Sequence, residues 1–132
     1  MPFTRRLTLS YLGADVINQA VEKTGGAEFN LDEAVVDGAA GLSIVATLDV
    51  SALKLLYLIS DQALTVKTND NGSPNNTFTL AANVPFAWVE GGAALRDTAG
   101  ALVTVDVATL KVTNASGNDA TLKVRALYDP TP

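Results

Sequence analysis

The sequence predicts an all-β protein, a single-domain antiparallel β-sandwich, jelly-roll-like, over residues 1–132. Three observations predict it. Apolar and polar residues alternate with period two along most of the chain, the periodicity of half-buried strands. Clusters of Gly, Asn, Asp, Ser and Pro break the alternation about every 8–12 residues, the spacing of a sandwich or barrel. Thr, Val and Leu are abundant while Glu is scarce, which favours strands over helices. The length suits one domain whose folding removes about two-thirds of the unfolded chain's surface from water.

The elements follow in order. Residues 1–6, with Arg5 and Arg6 behind Met1-Pro2-Phe3, read either as an N-terminal arm reaching to a neighbouring subunit or as a frayed terminus. Leu7, Leu9 and Tyr11 then fall on one strand face and Arg6, Thr8 and Ser10 on the other. Residues 15–24 fit two readings. Val16, Ile17, Ala20 and Val21 match a short helical face that Asp15 caps, but Gly25-Gly26 follows closely and Phe29 and Leu31 resume alternation. A hairpin around the two glycines is favoured, because a lone short helix is marginal in water. Val35 to Gly41 reads as a strand end and loop, and Leu42 to Leu48 as a strand. Leu53 to Ser60 is nearly continuous in apolar residues, as in a strand covered on both faces. Leu64 to Thr68 and Thr77 to Leu80 alternate, with the turn formers Asn69 to Asn76 between them. Val84 to Val89 is a further apolar segment, and Gly91-Gly92 marks a reversal. Leu110 to Thr113 and Leu122 to Ala126 form the last two strands, separated by Ser116-Gly117-Asn118-Asp119. Thr47 to Lys54 echoes Thr104 to Lys111. In each copy an aspartate, Asp49 or Asp106, is placed to accept a backbone N–H in an Asx-turn at a corner.

Composition excludes more chemistry than any motif suggests. There is no histidine and no cysteine, hence no thiolate nucleophile, disulfide, imidazole base or ordinary zinc or copper site. A net charge of −5 argues against a nucleic-acid surface, which needs clustered Lys and Arg. Arg5 and Arg6 are followed by alternation instead of the apolar run of a signal peptide. The longest nearly apolar stretch, Leu53 to Ile59, contains Lys54 and falls far short of the ~20 residues of a membrane span.

The remaining candidates are carboxylates and aromatics. Asp32 with Glu33, Asp49, Asp61, Glu90 and Asp97 are the available acids for a glycosidase-type pair, but strand ends and turns are ordinary places for solvated capping acids. Asn69-Asp70-Asn71-Gly72 is oxygen-rich yet lacks the alternating acids and terminal Glu of a calcium loop. Phe86 and Trp88 share a strand face, as core residues or as a sugar-stacking platform. The sequons at Asn71, Asn75 and Asn114 matter only in a eukaryotic secretory pathway. No catalytic, cofactor or metal site is expected.

Several runs together carry a resemblance. Asp49-Val50-Ser51-Ala52-Leu53-Lys54 leads to Ile59-Ser60-Asp61-Gln62-Ala63-Leu64-Thr65-Val66-Lys67-Thr68-Asn69. Gly72-Ser73-Pro74, Phe78 to Pro85, Phe86 and Trp88, Asp106-Val107, Val112 to Gly117 and Ala120-Thr121-Leu122 follow. As a set they resemble small virion proteins of tailed bacteriophages, of the type that decorates or cements the capsid. The resemblance implies a non-enzymatic β-sandwich protomer, assembled as a homotrimer on the capsid exterior, where it binds the major capsid protein and bridges capsomers. It also implies synthesis in the bacterial host cytoplasm and no nucleic-acid or membrane partner. A tail or head-fibre component, or a carbohydrate-binding module using Trp88 and Phe86, are the alternatives.

Overall fold

A computed structural model describes residues 2–129. The described chain forms ten strands and no helix: β1 (Phe3–Leu12), β2 (Val16–Gly25), β3 (Ala27–Val35), β4 (Leu42–Leu48), β5 (Leu53–Ser60), β6 (Leu64–Thr68), β7 (Thr77–Leu80), β8 (Phe86–Val89), β9 (Val107–Thr113) and β10 (Ala120–Tyr128). Eight of them make two antiparallel four-stranded sheets, β3-β10-β5-β8 and β4-β9-β6-β7, packed as a sandwich. The pairings are nested: β6 with β7, β5 with β8, β4 with β9 and β3 with β10. The additional pairs β10·β5 and β9·β6 knit these ribbons into the two sheets.

The alternation read in the sequence becomes the sandwich's inside and outside. Leu56 and Leu58 of β5, Val66 of β6, Leu110 and Val112 of β9, and Leu122 and Val124 of β10 point between the sheets. Phe78 and Phe86 meet edge to face across the core, with centroids 4.9 Å apart. Burying one such aliphatic side chain contributes about 1.5–3 kcal/mol. Lys54 is the extra residue of a bulge, since Leu53 pairs with Tyr128 and Leu55 with Leu127. The bulge lets Leu53 and Leu56 both enter the core while Leu55 faces out.

The corners are built by side chains satisfying backbone groups. Asp49 Oδ1 accepts from Ser51 N at 3.0 Å and Ser51 Oγ at 2.6 Å, the Asx-turn expected there. Asp106 works differently: its Oδ1 accepts from Val50 N at 3.0 Å, so the two echoing corners are tied to each other. Asn69, at φ 69°, accepts from Ala108 N and donates to Asp106 O. Asn114 is buried, donates to the carbonyls of Val35 and Asn118, and accepts from Ser116 N and Oγ. Its sequon is therefore closed to modification in the folded chain.

Three sequence expectations change. Residues 16–24 are extended, as favoured, but the hairpin turns at Gly13–Asp15 and pairs β2 with β1, from Phe3↔Gly25 to Leu12↔Val16. Gly25-Gly26 is instead the passage from β2 into β3. Gly25 is needed for close approach, because a Cβ there would lie 2.7 Å from the Tyr128 carbonyl oxygen and 3.0 Å from Leu127 Cγ. Of the arm expected at 1–6, Met1 lies outside the described residues, and residues 3–6 belong to β1, where they pair with residues 22–25. The apolar segment 84–89 is a strand only over Phe86–Val89, the residues that pair with β5.

Candidate interaction surface

The two sheets present different outer faces. The outer face of β4-β9-β6-β7 carries rows such as Thr79–Thr65–Thr113 and Thr77–Lys67–Lys111–Ser43, side chains suited to water. The outer face of β3-β10-β5-β8 is apolar at its centre. Leu127 lies beside Leu55 and Leu55 beside Val89, while the next row runs Asn30–Arg125–Tyr57–Ala87. Leu127 and Leu55 are 1% and 7% exposed although neither belongs to the core between the sheets.

The β1–β2 hairpin covers them. It joins neither sheet, and a free two-stranded hairpin is marginal in water, so it requires this contact. Residues paired across it share a face, so it has two unlike sides. One carries Thr4 opposite Thr24, Arg6 opposite Glu22 and Ser10 opposite Asn18, each pair hydrogen-bonded. The other carries Leu7 opposite Val21, Leu9 opposite Gln19 and Tyr11 opposite Ile17. At the base, Gly25 is pressed against β10 and Arg5 forks onto Glu28 of β3, with Nη2 to Oε1 at 2.9 Å. The guanidinium of Arg5 holds the Glu28 carboxyl below its ordinary range, outweighing the opposing effect of desolvation; Asn30 adds a second donor. Between hairpin and sheet lies a cleft of about 440 Å³, floored by Leu55, Tyr57 and Leu127 and rimmed by Arg5, Arg6 and Arg125.

Beyond the base the apolar side has no cover. On it Leu9, Tyr11 and Ile17 are 53–61% exposed; Leu12 and Val16, paired with each other at the tip on the opposite side, that of Ser10 and Asn18, are 83% and 62% exposed. Leu9, Tyr11 and Ile17 leave roughly 300 Å² of side chain in water on that one face, the size of the largest apolar patch on a typical monomer, ~300–600 Å² and often functional. At 25 cal/mol per Å², covering that area is worth on the order of 10 kcal/mol before the costs of association. This overhang is the strongest candidate surface in the molecule.

The acids singled out in the sequence are dispersed into structural contacts. Asp32 binds Arg125 at 2.9 Å and lies near Lys123; the Arg125 hydrogen bond lowers its pKa. Glu33 sits on β3 opposite Leu122. Hydrogen bonds from Ser51 depress Asp49. Asp61 accepts from Thr121 N, and Glu90 pairs with Lys54 at 2.9 Å. Asp97 is buried; desolvation pushes its carboxyl up, but N–H groups of Thr77, Ala101 and Ala99, with Asn76, more than offset this. Asp70 closes its own turn by accepting from Gly72 N and Ser73 N, which lower its pKa. No group of three or more acids that could hold a metal ion occurs among the described residues. Phe86 and Trp88 face the core, and Trp88 Nε1 donates to the Ala93 carbonyl at 2.9 Å. No helix of the described residues is long and apolar enough to cross a membrane.

The stripe Leu7, Leu9, Tyr11 was visible in the sequence as one strand face. Its extension across the hairpin by Ile17 and Val21 was not, because those residues equally fit a helix. The Leu55–Leu127 floor carried no signal beyond continuous apolar character. No family model, curated protein or solved structure matches the chain.

Proposed function

We propose that this chain is a non-enzymatic structural protein of a tailed-phage virion that binds the outer capsid surface as a homotrimer and cements neighbouring capsomers. The observation that carries the proposal is the hairpin overhang, whose one face leaves Leu9, Tyr11 and Ile17, roughly 300 Å² of apolar side chain, uncovered. A protein that works by being held between neighbours needs such a surface. The nested strand pairs β6·β7, β5·β8, β4·β9 and β3·β10 support a jelly-roll reading, an architecture recurrent in viral shells. The acids work in corners and ion pairs, as in a scaffold, and the charge of −5 suits the outside of a DNA-filled shell. The residue runs that resemble phage decoration proteins fall mostly on β5 to β10, the sandwich itself.

The test is quantitative mass spectrometry of gradient-purified virions of the phage encoding this chain. A cement protein is present in copy numbers comparable to the major capsid protein. A handful of copies per particle would assign it to the tail or a fibre, and its absence from the particle would overturn the virion role.

A further inference from the structure

The structure assigns a self-modification site to the loop between β6 and β7: the peptide nitrogen of Gly72 attacks the side-chain amide of Asn71, so that the chain converts Asn71 to isoaspartate and aspartate without an enzyme. The inference is independent of the virion role and concerns the run Asn69 to Asn76, which that role leaves unused.

Several features meet at this peptide bond. Of the nine asparagines only Asn71 precedes a glycine, and the missing Cβ leaves the peptide nitrogen open to the neighbouring side chain. The Asn71 amide is hydrogen-bonded to none of the described residues, whereas the amides of Asn69, Asn76 and Asn114 are tied into the fold. Packing positions it instead. A Cβ at Gly41, φ 68°, would lie 2.8 Å from Asn71 Cγ, 2.9 Å from Nδ2 and 3.1 Å from Oδ1, so the amide rests on bare glycine backbone. The peptide bond itself is polarised at both ends. Lys67 Nζ donates to the Asn71 carbonyl oxygen at 3.1 Å, and Gly72 N donates to Asp70 Oδ1 at 2.8 Å. The ammonium draws electron density from the peptide and eases loss of its proton, and the carboxylate lies within reach to take that proton.

The atoms balance. Gly72 N forms a bond to Asn71 Cγ while its proton passes through Asp70 to Nδ2, which leaves as ammonia. Water then opens the cyclic imide. Addition at Cγ yields aspartate; addition at the Asn71 carbonyl carbon yields isoaspartate, with the chain running on through Cγ. Either product adds one carboxylate, taking the net charge from −5 to −6 (five plus one). Isoaspartate also lengthens the loop backbone by one carbon and turns the carbonyl that Lys67 holds into a carboxylate.

The test is to hold the purified chain in neutral buffer and sequence its peptides by mass spectrometry at intervals, reading the exchange of –NH2 for –OH at each asparagine. The expected result is conversion at Asn71 ahead of every other asparagine, and faster than in a synthetic peptide of residues 67–76, which has the sequence without the fold. Gly72→Ala is sterically tolerated, since its nearest contact would be Asp70 Oδ1 at 3.7 Å, and it should slow conversion roughly tenfold or more. Lys67→Met and Asp70→Ser, which keeps an acceptor but loses the carboxylate, should each slow it roughly threefold or more. Lys67→Arg retains the cation and should keep the wild-type rate. Circular dichroism verifies each fold. An Asn71 that stays intact, or that converts more slowly in the folded chain than in the peptide, overturns the inference. So do Lys67→Met and Asp70→Ser variants that convert at the wild-type rate.

Discussion

Replacing Gly25 by alanine perturbs the hinge on which the hairpin's position depends. The new Cβ would stand 2.7 Å from the Tyr128 carbonyl oxygen and 3.0 Å from Leu127 Cγ. The nearer atom is backbone, so the strain cannot be relieved by turning a flexible side chain. Overpacking of this kind costs about 1–3 kcal/mol. Seating the hairpin buries Leu55 and Leu127, worth about 1.5–3 kcal/mol each, so the substitution loosens the hairpin without releasing it. The sandwich core contains neither leucine and should be untouched. Amide hydrogen exchange separates these effects. Amides of β1 and β2 should exchange roughly 5- to 150-fold faster, by the conversion of 1.4 kcal/mol per tenfold, while those of β6 and β9 keep their wild-type rates. Gly72→Ala is the control, because its nearest neighbour would be Asp70 Oδ1 at 3.7 Å, an ordinary contact. Unchanged exchange in β1 and β2 of Gly25→Ala would refute the claim that the hairpin is clamped at this point.

Further outcomes follow from the corners and the carboxylates. Asn114→Ala strips the buried Val35 carbonyl, the Asn118 carbonyl and Ser116 of their partner; a loss of about 2–3 kcal/mol is expected, or roughly 6–12 °C in Tm by calorimetry at this chain length. Asp97→Ala removes the acceptor for the N–H groups of Thr77, Ala99 and Ala101; it should cost about 1–3 kcal/mol and open residues 97–101 to limited proteolysis. Glu28, Asp32, Asp49, Asp70 and Asp97 all have folded pKa values below their ordinary 4.5 (Glu) or 3.8 (Asp). The unfolded chain therefore binds more protons in acid. Their contribution is complete above those ordinary values and is lost as pH falls through the depressed ones. Urea midpoints should fall steadily on acidification below about pH 4.5, and a midpoint that rose there would contradict the assigned contacts.

Much of the sandwich was legible because a half-buried strand writes its two faces into alternate residues. Leu64-Thr65-Val66-Lys67-Thr68 and Leu122-Lys123-Val124-Arg125-Ala126 state their inward and outward sides directly, and the loop Asn69 to Asn76 marks its own turn. The hairpin was harder. Glycine marks a turn and a close approach with the same letter, and Gly25 serves the second purpose, while the actual turn at Gly13–Asp15 is too short to stand out. The bulge at Lys54 lies inside an apolar run, where a shift of face leaves no trace in the pattern. The candidate surface was half legible for a related reason. Leu7, Leu9 and Tyr11 form an apolar stripe whether their face meets the core, a neighbour or water, and only the packing of Gly25 on β10 fixes where cover ends.

A density map of the virion at a resolution that traces β-strands tests the central claim most directly. The account predicts sandwich density seated on the outer surface of the shell where capsomers meet, in closed rings of three. A fully traced shell with no density for this chain on its outer surface would contradict it.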